Sequence, residues 1–151
     1  MVPASFSEFS TIKNSGGVDW EELKHKYALK SHYDLAINKG DLSPLVGFSL
    51  YIKMDTAIKE KLHGLTTTNG ITVTGHSYHF IDRIFGSIEQ KRSGVSVESA
   101  RRTILDGKDF KKFEKSTKIN GKDNTVSINH ITGNLIQVNP RKEVKVNVGD
   151  K

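Results

Sequence analysis

The chain has 151 residues, a net charge of +6 and no cysteine, which suits one or two small units with a real core and excludes a disulfide framework or cysteine-ligated zinc. With 35% hydrophobic and 26% charged residues, it contains no apolar run near the roughly 18 residues of a membrane span, so no membrane insertion is expected. Residues 1–100 carry 11 Lys/Arg against 11 Asp/Glu and residues 101–151 carry 12 against 6, so the whole basic excess lies in the last third, the footprint of an anionic partner such as nucleic acid or, failing that, of a solvated face.

Residues 1–18 are rich in Ser, Gly and Thr and read as a loosely ordered lead-in. Met1-Val2-Pro3-Ala4-Ser5-Phe6 shows no basic segment followed by an apolar one, so no signal peptide is expected. Asp19 followed by Trp20, Glu21 and Glu22 opens a helix that should run to about Lys30. A second short helix through Tyr33, Leu35 and Ile37 should end at Gly40, a natural left-handed cap. Leu45, Phe48, Ile52, Ala57, Ile58 and Leu62 keep near-helical spacing, with a break expected around Tyr51 to Met54 and an end at Gly64. Thr66 to Gly70 reads as a polar linker into a short extended piece at Ile71–Val73, which divides the chain into a helical accessory or entry part, 1–65, and a second part, 70–151. His25, His32 and His63 fall in the helical part, where surface or capping roles are the ordinary reading.

The stretch Gly75-His76-Ser77-Tyr78-His79-Phe80-Ile81-Asp82-Arg83 is the densest in chemistry. In a helix opened by Thr74 or Ser77, His79 and Arg83 share a face one turn apart, while Phe80, Ile81 and Ile84 fall on the side to be buried. That pairs a proton-transfer group with a phosphate-binding cation. His76 and His79 at i, i+3 with Asp82 nearby are also a weak metal-ligand pattern, and His76 can instead simply cap the helix. Ser96 should cap a further helix with Glu98 in its first turn and Val97, Ala100, Ile104 and Leu105 as its buried stripe, stopped by Asp106-Gly107.

Beyond it the period changes from helical to alternating. Residues 115–119, 125–129 and 135–139 read as strands separated by Asn120-Gly121 and His130-Ile131-Thr132-Gly133, with an additional edge strand expected at 144–148. Val126 and Ile128 should face the core, and Thr125, Ser127 and Asn129 the other side. The expected fold is therefore α+β, an N-terminal helical part followed by helices packed on a C-terminal antiparallel sheet. Metal-free RNA cleavage needs a base for the ribose 2′-hydroxyl, an acid for the leaving 5′-oxygen and donors for the charged phosphorane. His76, His79 and Arg83 on the helix, with Ser127, Asn129, Thr132, Gln137 and Asn139 from strands and turns, supply those types. Arg101, Arg102, Lys111, Lys112, Lys115 and Lys118 would hold the RNA backbone.

The ordered set Thr74-Gly75-His76-Ser77-x-His79-Phe80-x-x-Arg83, Arg92-x-Gly94-Val95-Ser96-x-Glu98, Ser127-Ile128-Asn129-x-x-Thr132-Gly133 and Val138-Asn139-Pro140 resembles the barnase/EndoU/colicin/RelE-like nuclease domains. These lie at the C-termini of bacterial polymorphic and contact-dependent growth inhibition toxins and in phage-associated toxins. The resemblance covers a little over half the chain. It implies a toxin ribonuclease, directed at tRNA, that makes a 2′,3′-cyclic phosphate without metal or other cofactor. By it, His79 and Arg83 match the helix residues most often catalytic, and Ser127, Thr132 and Asn139 match sheet and turn positions that vary. It further implies delivery as the C-terminal part of a larger secreted or cell-surface protein, action in the target-cell cytoplasm, a cognate immunity protein and a possible role for a host translation factor. A non-catalytic nucleic-acid-binding module and a metal-dependent DNase are the alternatives.

Overall fold

The computed structural model describes residues 19–141. In chain order it contains α1 (Trp20–Lys39), α2 (Phe48–Leu62), β1 (Gly75–His76), α3 (Tyr78–Phe85), α4 (Val97–Asp106), β2 (Asp109–Lys112), β3 (Ser116–Asn120), β4 (Asn124–Asn129) and β5 (Asn134–Pro140). The class is α+β, with helices ahead of a C-terminal sheet. Strands β5, β4, β3 and β2 form an antiparallel meander, and β1 adds in parallel on the far side of β5, giving the order β1-β5-β4-β3-β2. The sheet is thus mixed, and the expected edge strand at 144–148 and the lead-in 1–18 lie outside the described residues.

The two short helices expected before Gly40 are one. Asp19 caps it by accepting from the Glu22 amide at 3.1 Å, and Gly40 closes it at φ 80°. No Gly or Pro interrupts Trp20 to Lys39, and a Lys30–Asp34 ion pair at 3.0 Å spans the expected joint. Helix α2 is also unbroken where a break was expected, because Tyr51 is buried there and needs the regular backbone to aim its hydroxyl at Asp82. Ser96 caps α4 as its sequence predicts, but Thr103 joins Ala100 and Ile104 on the buried side while Leu105 is only half-buried. The sequence reading missed β2, whose exposed Lys-rich face masks its alternation.

Leu29, Tyr51 and Ile58 from α1 and α2 belong to the same buried cluster as Phe80, Ile104, Val126 and Val138. A fully buried side chain of this kind contributes about 1.5–3 kcal/mol over the exposed state, so the core crosses the 66–70 segment, where Thr66 bridges back to Thr72. Helix α3 packs on β5, and α4 on β4 and β3. The sheet's other face is polar. Cross-strand registers line up Lys111, Lys118, Ser127 and Gln137 in one row and Asn120, Thr125 and Asn139 in the next.

Candidate active site at the edge of β5

The site is built from the start of α3. Ser77 is its N-cap: the hydroxyl accepts from the Phe80 amide at 3.0 Å and donates to the Ile136 carbonyl at 2.7 Å, which ties the helix start to β5. Phe80, Ile81 and Ile84 are buried against the core as their spacing predicts, leaving His79 and Arg83 half-buried on the other flank. Strand β1 is only two residues long and pairs with β5 no further than Leu135. Among the described residues, no strand pairs with the C-terminal half of β5 on this edge, and Arg83 reaches it. Its Nε donates to His79 Nε2 at 3.2 Å, and its Nη1 donates to Asn139 Oδ1.

This pairing sets the histidine's chemistry. Arginine keeps all its protons, so neutral His79 carries its lone pair on Nε2 and its proton on Nδ1. Burial, then the Arg83 charge, push the His79 pKa below the ordinary histidine value, against the pull of Asp82 and Asp41. His79 is accordingly a neutral imidazole at pH 7. Burial, then Arg92, also lower the Arg83 pKa. Arg92 is held close by the turn after α3: Ser87 and Arg92 exchange backbone hydrogen bonds at 2.8 Å each way, and Val95 N donates to Ile84 O at 3.0 Å. Gly86 makes the turn possible at φ 76°, where a Cβ would also meet the Arg92 carbonyl at 2.5 Å. Arg92 Nε is buried and has no hydrogen-bond partner among the described residues, a donor next to two further cationic or potentially cationic groups.

Of the remaining sequence candidates, Asn139 joins the cluster directly. Ser127 lies on the polar sheet face, paired with Gln137. Thr132 sits in the β4–β5 turn, at the opposite end of β5 from Asn139; its hydroxyl accepts from the Asn134 amide at 3.2 Å and its carbonyl from Thr74 Oγ1 at 2.7 Å, which are turn-stabilising bonds. Lys111 and Lys118 are cross-strand neighbours on the polar face, and exposed Lys112 and Lys115 lie at and just beyond the end of β2. Arg101 and Arg102 belong to α4, on the sheet's other side. The predicted basic set is therefore divided between two surfaces.

His76 is not brought to His79. It lies in β1, with its side chain 6% exposed; its Nε2 bonds Asp55 Oδ1 at 2.7 Å and its Nδ1 bonds His63 Nε2 at 2.8 Å. The second Asp55 oxygen bonds His25 Nε2 at 2.9 Å. Burial would raise the Asp55 carboxyl, but hydrogen bonds from His76 and His25 outweigh it and hold the pKa below the usual value. A second buried carboxylate, Asp82, accepts from Tyr51 at 2.7 Å and pairs with His32 at 2.8 Å. Burial, with Asp82 adding to it, pushes the Tyr51 pKa up, so the hydroxyl remains a donor. His76, His79 and Asp82 thus face three different sets of partners, and among the described residues no group of three or more His, Asp or Glu is arranged to hold a metal. The surface or capping reading holds for His25, whose side chain is 44% exposed, and for His63, which is the C-cap of α2; beyond that reading, all three histidines, with the more enclosed His32, also bond groups of other elements. Asp55 was not singled out by the sequence at all. A partial signal was present in His25 and His32, seven residues apart and so on one face of α1.

No family model matches the chain, and no curated protein or solved structure matches it significantly.

Proposed function

We propose that the protein is a metal-independent ribonuclease toxin of the barnase/EndoU/colicin/RelE-like kind, acting on tRNA at the open edge of β5. The single observation that carries this reading is the grouping of a neutral, burial-tuned His79 with Arg83, Asn139 and the unpartnered Arg92 Nε. Two guanidinium groups beside a proton acceptor suit a phosphodiester next to a hydroxyl. The adjoining row of Lys111, Lys118, Ser127 and Gln137 gives the RNA backbone a basic and hydrogen-bonding track.

In this reading the scissile phosphate draws Arg83 and Arg92 onto its oxygens, which frees His79 Nε2. The imidazole takes the 2′-hydroxyl proton, the 2′-oxygen bonds to phosphorus, and the bond from phosphorus to the 5′-oxygen breaks as that oxygen takes up a proton from water, the imidazolium then releasing its own proton to the solvent. The products are a 2′,3′-cyclic phosphate and a 5′-hydroxyl. Asn139 holds Arg83 in place between turnovers. Delivery from a larger secreted or surface protein and neutralisation by an immunity protein belong to the same proposal, an acidic surface being the complement of the lysine row.

The test mixes purified protein with total RNA and with plasmid DNA in EDTA. Fragmented RNA beside intact DNA supports the reading. DNA cut only after a divalent ion is added would replace it with a metal-dependent DNase, and RNA bound but uncut would leave a binding module.

A further inference from the structure

The Asp55–His76–His63 chain is not used by the site above. Asp55 is a carboxylate and accepts at both oxygens, so His76 presents Nε2–H to it. The 2.8 Å bond between His76 Nδ1 and His63 Nε2 occupies the second nitrogen of the one ring and the first of the other. The remaining nitrogen of His63, Nδ1, has no partner among the described residues. Burial, then the neighbouring His76 and Lys59, push the His63 pKa below the ordinary value.

That nitrogen belongs to a half-buried side chain on the wall of a cavity of about 380 Å³, which Lys59, His76, Tyr78 and Asn134 also line, within the roughly 300–1,000 Å³ usual for small-ligand sites. Lys59 stands one helical turn before His63 and has no ion-pair partner among the described residues. Asn134 adds an amide. The charged groups facing this space are Lys59, Asp55 and, at its rim, His25; the acids Glu21 and Glu22 line the adjoining groove past His25. An anion is therefore best placed on the Lys59 and Asn134 side.

We propose that this cavity is a second binding site, for a phosphorylated alcohol, in which Lys59 holds the phosphate and His63 Nδ1 accepts the hydrogen of a neighbouring hydroxyl. Asp55 and His76 are positioning residues: they fix the His63 tautomer and share any proton it receives, since His63 can pass its Nε2 proton to His76 beside the Asp55 carboxylate. The site stands apart from the ribonuclease reading and survives its failure.

The experiment is a long-range ¹H–¹⁵N imidazole spectrum of the wild-type protein at neutral pH, followed by titration with glycerol 3-phosphate, ethyl phosphate and inorganic phosphate. The expected spectrum shows His63 and His76 both protonated on Nε2. Glycerol 3-phosphate should perturb His63 and Lys59, bind several-fold more tightly than ethyl phosphate, which lacks the hydroxyl, and lose about tenfold or more in affinity in Lys59→Ala. His76→Gln should shift His63 towards a mixture of tautomers; if that variant does not fold, the wild-type spectrum still decides. A proton on His63 Nδ1, no perturbation of His63 by glycerol 3-phosphate, or equal affinity for all three phosphates would each overturn the proposal.

Discussion

His76 and His79 are three residues apart, and the protein puts them to opposite uses. His76 ends a short strand and is enclosed by α2, with its ring committed at both nitrogens to Asp55 and His63. His79 begins a helix on the other side of the Ser77 cap and stands half-buried with one arginine on its lone pair and another nearby. Spacing of i, i+3 implies a shared face only inside one helix. Here a strand-to-helix junction falls between them, so the same residue type serves a buried polar network in one direction and an open cationic edge in the other.

The sharpest way to break this contrast is to remove each side's anchor. Arg83→Ala should lower RNA cleavage by about 10²–10³-fold, the usual cost of a lost oxyanion-type donor, with a nearly unchanged thermal melt. His76→Ala should do the reverse. It strips Asp55 of its buried partner, which costs about 3–5 kcal/mol where one member of a buried pair is removed. If the melts respond the other way round, the two histidines have been assigned to the wrong regions.

A smaller effect is expected from Asp82→Asn, which keeps the shape but weakens the bonds from Tyr51 and His32. Chemical denaturation should show a loss of about 1–3 kcal/mol, and cleavage should persist in the folded fraction. Lysine substitution in and just beyond β2 is subtler still. Replacing Lys111, Lys112 and Lys115 together should flatten the salt dependence of RNA binding, by a slope of about 0.7 for each phosphate that is no longer neutralised. A slope equal to wild type would make these lysines a solvated face.

The pH dependences separate the regions as well. Because the folded His79 pKa lies below its ordinary value, the acid limb of cleavage should fall below about pH 6.5. Asp55 behaves differently: its folded pKa is depressed, so its contribution to stability is complete above about pH 4 and is lost as pH falls through the folded value. Melts recorded between neutral pH and pH 3 should therefore weaken in a range where the His79 limb has already ended activity.

What could be read from the sequence followed from local rules. Ser77 and Ser96 announce their helices as caps, Gly40 ends α1, and the alternation in Thr125 to Asn129 predicts which side of β4 is buried. The pairing of His79 with Arg83 needs only helical spacing. The polar networks were hidden because their members are far apart in sequence: His25 and Asp55 are 30 residues apart and His32 and Asp82 are 50 apart. They meet only because α1 and α2 pack on α3 and β1. Parallel addition of β1 was equally hidden, since two residues carry no period. Arg92 appeared within a motif, but its proximity to His79 depends on a tight glycine turn folding back on α3.

The central claim is that His79 works as the proton acceptor for RNA cleavage at the edge of β5. Its most direct measurement is the end chemistry of RNA treated in EDTA with the wild type and with His79→Ala, read by ³¹P NMR beside thermal melts of both proteins. Cyclic 2′,3′-phosphate ends should accumulate with the wild type and form about 10²–10⁴-fold more slowly with the variant, at an unchanged melting temperature. Cyclic ends formed at the wild-type rate by the variant, or none formed by the wild type, would contradict it.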